Sequence, residues 1–116
     1  MRAGHLEIFV TDVPRARHFY EQVLGLSLVR DDGGRFLWFD CGGLELLLRP
    51  GRTATSGAAY QGMPLALTLY TEGLESSRVE LESRGLVFEG FDGTPGCPTF
   101  RDPDGNWFQL VDPSQH

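Results

Sequence analysis

A chain of 116 residues, 41% hydrophobic and 22% charged, has enough apolar matter for one core and too little for two. Its net charge of −6 weighs against nucleic acid as the main partner and favours neutral or cationic small molecules. No apolar run reaches the roughly 18 residues of a membrane span and no apolar signal core opens the chain, so no membrane partner and a cytoplasmic location are expected.

The first element is read from alternation. Leu6, Ile8 and Val10 share one face, with His5, Glu7 and Phe9 on the other, which is the period of a strand. Asp12 is placed to cap a helix that tolerates Pro14 in its first turn. Ala16, Phe19, Tyr20, Val23 and Leu24 form one apolar stripe on that helix, and Gly25 ends it. Strands follow over 26–30, 36–41 and 44–49, joined by turns at Asp31-Asp32-Gly33-Gly34 and Gly42-Gly43. The unit is βαβββ.

The order then repeats about 60 residues later. Pro64-Leu65-Ala66-Leu67-Thr68-Leu69-Tyr70-Thr71 matches the segment from His5 to Thr11, and Gly85-Leu86 matches Gly25-Leu26. A strand over 65–71, a helix over 74–84 with a thin apolar stripe, a strand over 86–91 and a hairpin around Pro103-Asp104-Gly105 complete the second unit. The expected architecture is α+β: a single domain with unit 1 at about 5–49, a linker at about 50–63 and unit 2 at about 64–112, its mixed sheets curled around a cleft and its helices outside.

Cys41 and Cys97 form no C-x-x-C motif and read as two reduced thiols. Asp31-Asp32 and Asp102-Pro103-Asp104 sit in turns and are explained by turn chemistry before calcium. His18 falls on the exposed side of the first helix and His116 is terminal.

H-L-E-I-F-V-T-D-V-P-R-A-R-H-F-Y-E-Q-V-L-G-L at 5–26 and F-R-D-P-D-G-N-W-F-Q-L-V-D-P at 100–113 resemble the vicinal oxygen chelate superfamily. This group includes glyoxalase I, bleomycin-resistance and fosfomycin-resistance proteins, and extradiol dioxygenases. The resemblance spans essentially the whole chain and implies the glyoxalase/bleomycin-resistance fold. It also implies that metal-binding members hold one divalent ion at positions that fall here on His5, Glu45, Pro64 and Gln109. Pro64 carries no donor side chain and Gln109 offers only a neutral amide, so the expectation is no metal and no cofactor. The alternative is Zn, Ni, Mn or Fe held by His5, Glu45 and Gln109, with Glu7 or Thr68 as substitutes.

Alternation brings Phe9 to the face of His5, Trp107 to that of Gln109, and Phe36 and Trp38 to that of Asp40, while Tyr60 lies in the linker. Aromatic residues alternating with polar ones suit a half-wet pocket for a planar or cationic molecule. The expected function is therefore metal-free binding of an aromatic or cationic drug-like ligand, as the bleomycin-resistance branch implies, in clefts lined by both chains of a homodimer. Phe9, Trp38, Tyr60, Thr68, Trp107 and Gln109 would supply contacts, with His5 and Glu45 as polar anchors paired to each other or to Gln109. The alternatives are enzymes: a metal-dependent lyase, isomerase or dioxygenase in which the ion polarises substrate oxygens, or a metal-free enzyme with His5 as general base oriented by Glu45.

Overall fold

The computed structural model describes residues 1–51, 59–62, 65–91 and 97–115. Two compact units, Met1–Ala54 and Thr55–His116, each carry their own sheet. Among the described residues no helix is long and apolar enough to cross a membrane.

In the first unit, β1 (Leu6–Val10) leads into α1 (Val13–His18), a π-helical turn (Phe19–Val23), then β2 (Ser27–Asp32), β3 (Phe36–Cys41) and β4 (Leu44–Pro50). The Asp12 carboxylate accepts the Arg15 backbone N–H at 3.1 Å, the capping bond that a short polar side chain at this place supplies. The sequence suggests one continuous helix to Leu24. The structure widens its second half instead, with the Leu24 N–H donating to the Phe19 carbonyl at 2.9 Å. Ala16, Phe19, Tyr20 and Val23 are all buried along the predicted stripe.

The strands form one sheet in the order β1-β4-β3-β2, with β1 and β4 parallel and the other pairs antiparallel. Gly42 and Gly43 both have positive φ (63° and 102°), which only glycine adopts cheaply, and this turns β3 tightly into β4. Ile8, Val10, Leu37, Phe39, Leu46 and Leu48 are buried, and Tyr20 meets Phe39 at 6.1 Å between ring centroids. The helix therefore covers that face. Glu7, Phe9, Trp38 and Arg49 stand on the other, open face.

The second unit holds β5 (Leu67–Tyr70), α2 (Leu74–Ser83), β6 (Thr99–Arg101) and β7 (Trp107–Val111), with β7 parallel to β5 and antiparallel to β6. Its core is aromatic: Phe100 stacks on Phe108 at 5.1 Å with an interplanar angle of 4°, and Phe88 meets Phe100 edge-on at 5.8 Å. The strand expected over 86–91 does not form. Only Phe91 bridges to Pro98, although Glu89 and Gly90 exchange backbone hydrogen bonds with Thr99. Gly90 at φ 81° turns the chain out of the extended conformation, and Pro98 has no N–H to extend the pairing. The described second unit is thus βαββ, and the architecture is α+β with two mixed sheets of four and three strands. Most of the expected linker (52–58 and 63) lies outside the described residues, and Tyr60–Gly62 within it forms a 3-10 turn.

Candidate functional site

The open face of the first sheet gathers four of the sequence-predicted residues: His5, Phe9, Trp38 and Glu45. Trp38 lies at its centre. The His5 ring meets it edge-on at 4.7 Å between centroids, and the Arg30 guanidinium lies 4.8 Å from its ring. Gly4, His5, Val29, Arg30, Trp38 and Glu45 line an open hollow of about 510 Å³.

Arg30 reaches this position through a β-bulge. Leu28 is paired with Phe39 and Arg30 with Trp38, so the register shifts by one residue between them. The shift places Arg30 beside the tryptophan. The Arg30 Nε donates to Asp32 at 3.0 Å.

Within the first unit His5 meets Glu7 and not Glu45. Its Nε2 lies 3.3 Å from a Glu7 carboxylate oxygen, and the other Glu7 oxygen accepts from Arg49 Nη1 at 2.9 Å. Glu7 stands two residues along the same strand face, within easy reach, and β1–β4 pairing sets Arg49 next to Phe9. The Arg49 guanidinium and, to a smaller degree, His5 hold the Glu7 carboxyl below the usual carboxylate range. A depressed carboxyl stabilises the fold above its unfolded-state value, and that contribution is lost as pH falls through its folded-state value. Glu7→Gln is expected to lower the urea midpoint at pH 7. The gap from the wild type should shrink below about pH 4; a gap undiminished at pH 3 would contradict the ion pair.

In the second unit the face of β5 and β7 opposite Phe108 carries Thr68, Trp107 and Gln109, with Tyr60 against Trp107. Gln109 donates its amide N–H to Thr68 Oγ1 at 3.1 Å. Trp107 is met edge-on by Tyr60 at 5.9 Å and covered by the Arg101 guanidinium at 5.1 Å, which Glu89 holds from the side at 2.8 Å. Trp107 is only 4% exposed, so it is drier than its alternation with Gln109 suggests. Pro64 lies outside the described residues.

Four polar atoms in these two settings are buried and have no hydrogen-bond partner among the described residues: Trp38 Nε1, Arg49 Nε, Trp107 Nε1 and Gln109 Oε1. Turning the Gln109 amide over would exchange which end meets Thr68 and leave the other end bare. Such atoms cost about 1–3 kcal/mol each when left unsatisfied.

The arginines are the functional residues that sequence reasoning missed. Arg30 and Arg49 cover aromatic rings on the open face of the first sheet, Arg49 lying 5.6 Å from Phe9 and 5.2 Å from Phe36, and Arg101 covers the buried Trp107. Arg49 was legible, since it alternates with Glu45 and Leu47 on β4. Arg30 was not, because a bulge moves it out of simple alternation. The acidic net charge pointed to a cation at long range, whereas at close range each ring already meets a cation.

Neither cysteine is placed as a nucleophile. Burial, with the neighbouring Asp40 charge, pushes the Cys41 thiol above its usual range, and Cys97 is 3% exposed.

Solved structures of related shape cover almost the entire chain. An antibiotic binding protein, TnmS3 from Streptomyces sp. CB03234, is 27% identical, with a TM-score of 0.71 over 97% of this chain and 98% of its own. An integron cassette protein from the mobile metagenome of V. cholerae is also 27% identical, with a TM-score of 0.69 over 95% and 93%. Lactoylglutathione lyase from Agrobacterium tumefaciens shares the fold at 22% identity, with a TM-score of 0.71 over 96% and 92%. No curated protein matches the sequence. The family model for the Glyoxalase/Bleomycin resistance protein/Dioxygenase superfamily matches residues 2–110, and the chain belongs to that superfamily.

Proposed function

We propose that this protein binds a small aromatic organic molecule and does not transform it. The observation that carries the reading is an aromatic ring bordered by polar side chains in an open hollow: Trp38, with His5, Arg30 and Glu45 around it. Flat rings with a few directed polar atoms recognise planar molecules, giving orientation through the hydrogen bonds and affinity through the buried ring area. The likeness to an antibiotic binding protein at 27% identity over nearly both whole chains supports the same reading.

The donor set supports binding without a metal. His5 is engaged by Glu7, Glu7 is neutralised by Arg49, Gln109 is a neutral amide bonded to Thr68, and Pro64 has no side-chain donor. A prolyl and a neutral amide at two of the four positions are poor ligands for a divalent ion, which supports the metal-free reading. Assembly as a homodimer in the cytoplasm belongs to the same proposal.

Intrinsic fluorescence tests it, because the chain has only two tryptophans. Titration with a panel of planar antibiotics is expected to quench emission saturably with at least one compound, and Trp38→Phe or Trp107→Phe to weaken that compound about tenfold or more. A panel in which nothing quenches saturably, or a hit that both variants bind unchanged, would overturn the reading.

A further inference from the structure

We infer that the hollow on the first sheet selects a dipolar ligand: a planar body with an amine at one end and a carboxylate or other oxyanion at the other. The inference rests on the binding function proposed above and names the chemistry of one site.

The polar lining side chains and Trp38 are spread across the width of the sheet. In the order β1-β4-β3-β2, His5 directly precedes β1, Glu45 lies on β4, Trp38 on β3 and Arg30 on β2. Glu45 is in register with Asp40 and Arg30 with Trp38, so the two lie two inter-strand spacings across the sheet and two residues along it, about 12 Å between backbones, with Trp38 next to Arg30 on the diagonal. A volume of about 510 Å³ lies within the range that small-molecule sites occupy.

The two ends differ in sign and in availability. Glu45 is exposed and, among the described residues, has no ion-pair or hydrogen-bond partner. Its cross-strand neighbour is a second carboxylate, Asp40, which accepts only a long 3.4 Å bond from the Gly43 N–H. Like charges directly opposed on a sheet repel, and an ammonium group placed between them removes that repulsion. Glu7, by contrast, is already neutralised by Arg49. At the other end, Arg30 gives only its Nε to Asp32, so the terminal guanidinium nitrogens keep donors for an oxyanion. The Arg30–Asp32 pair is solvent-exposed, with side chains 60% and 48% accessible, and exposed pairs of this kind yield easily to a competing carboxylate.

A cation alone would meet Glu45 but be repelled by Arg30 over the indole. An anion alone would gain Arg30 but face Glu45 and Asp40. Only a ligand carrying both groups satisfies both ends, with its ring along Trp38 and Val29.

Calorimetric titration of the purified protein with four compounds on one naphthalene scaffold tests this: 6-(aminomethyl)-2-naphthoic acid, 2-naphthoic acid, 2-(aminomethyl)naphthalene and 2-naphthalenemethanol. The doubly charged compound is expected to bind about tenfold or more tightly than either singly charged one. Glu45→Gln should erase the advantage given by the amine and leave that of the carboxylate. Arg30→Gln should do the reverse. Both positions are exposed, and thermal melts establish that each variant is folded. Equal affinity for all four compounds would overturn the dipolar inference and leave the binding function standing. So would no binding of any of the four by a protein whose fluorescence the antibiotic panel still quenches. Failure of both sets would overturn the binding function itself.

Discussion

Phe100→Ala is expected to cost about 4 kcal/mol of folding stability, a third or more of what a small domain has. Phe100 is fully buried, stacks flat on Phe108 and takes the edge of Phe88. The second unit has a thin helical stripe, in which Leu81 is the buried residue of α2. These three rings therefore carry much of the apolar contact that holds its sheet together. Truncation removes the transfer free energy of a benzyl group, two ring–ring contacts and the matter packed on one face of the β6–β7 pair. Phe100→Leu keeps most of the volume and should cost under about 2 kcal/mol. Urea denaturation checks both through the shift in midpoint at constant slope. A loss below about 1 kcal/mol for the alanine variant would show that the ring stack is not central to this unit.

Asp102→Ala is expected to destabilise by about 3 kcal/mol, nearly as much, although the residue is polar. Asp102 is 5% exposed and organises the Asp102-Pro103-Asp104-Gly105-Asn106 turn. One of its oxygens accepts the backbone N–H groups of Asp104 at 2.9 Å and Asn106 at 2.8 Å, and the other accepts the Asn106 side-chain amide at 2.8 Å. Alanine leaves three donors without this acceptor. Asp102→Asn keeps one carbonyl oxygen for the two backbone donors, and Asn106 can turn its amide to accept from the new NH2 group. That variant should cost only about 1 kcal/mol. The contrast separates lost hydrogen bonds from lost charge: if Asn were as damaging as Ala, charge would be the larger factor. Trp107 lies directly after this turn, so a loosened Asp102 also shifts a residue of the proposed binding face.

Much of the scaffold was legible because its signals were local. Alternation of Leu6, Ile8 and Val10 fixed a strand and its buried face. Asp12 fixed a helix start, and Gly42-Gly43 fixed a hairpin. The duplicated pattern and the D-P-D-G-N hairpin pointed to the superfamily. The strand expected over 86–91 failed because its hydrophobic pattern outlasts its pairing: Gly90 bends the chain, and Pro98 opposite cannot donate. The π-helical turn at Phe19–Val23 was illegible because the apolar stripe is equally well buried by a widened turn.

At the site, the faces of Trp38, Trp107 and Gln109 followed from period-two reasoning. Their partners did not. His5 turned to Glu7 because a neighbour two residues along the same strand is nearer than one supplied by topology. Arg30 depends on a bulge, and bulges are set by strand pairing, not by composition. Arg101 reads as an ordinary surface charge until Glu89, from the segment that lost its strand, is found beside it. Thus the apolar half of the candidate site was written in the sequence, and the arginines that cover it had to be read from the structure.

The claim that this chain binds an organic ligand without chemistry is tested most directly by equilibrium dialysis in the presence of a strong chelator. A compound that quenches tryptophan emission is dialysed against the protein and then recovered and weighed by mass spectrometry. Stoichiometric retention with chelator present and recovery of the compound unchanged are the expected results. Retention lost on chelation and restored by a divalent ion, or a compound consumed over repeated turnovers, would contradict that claim.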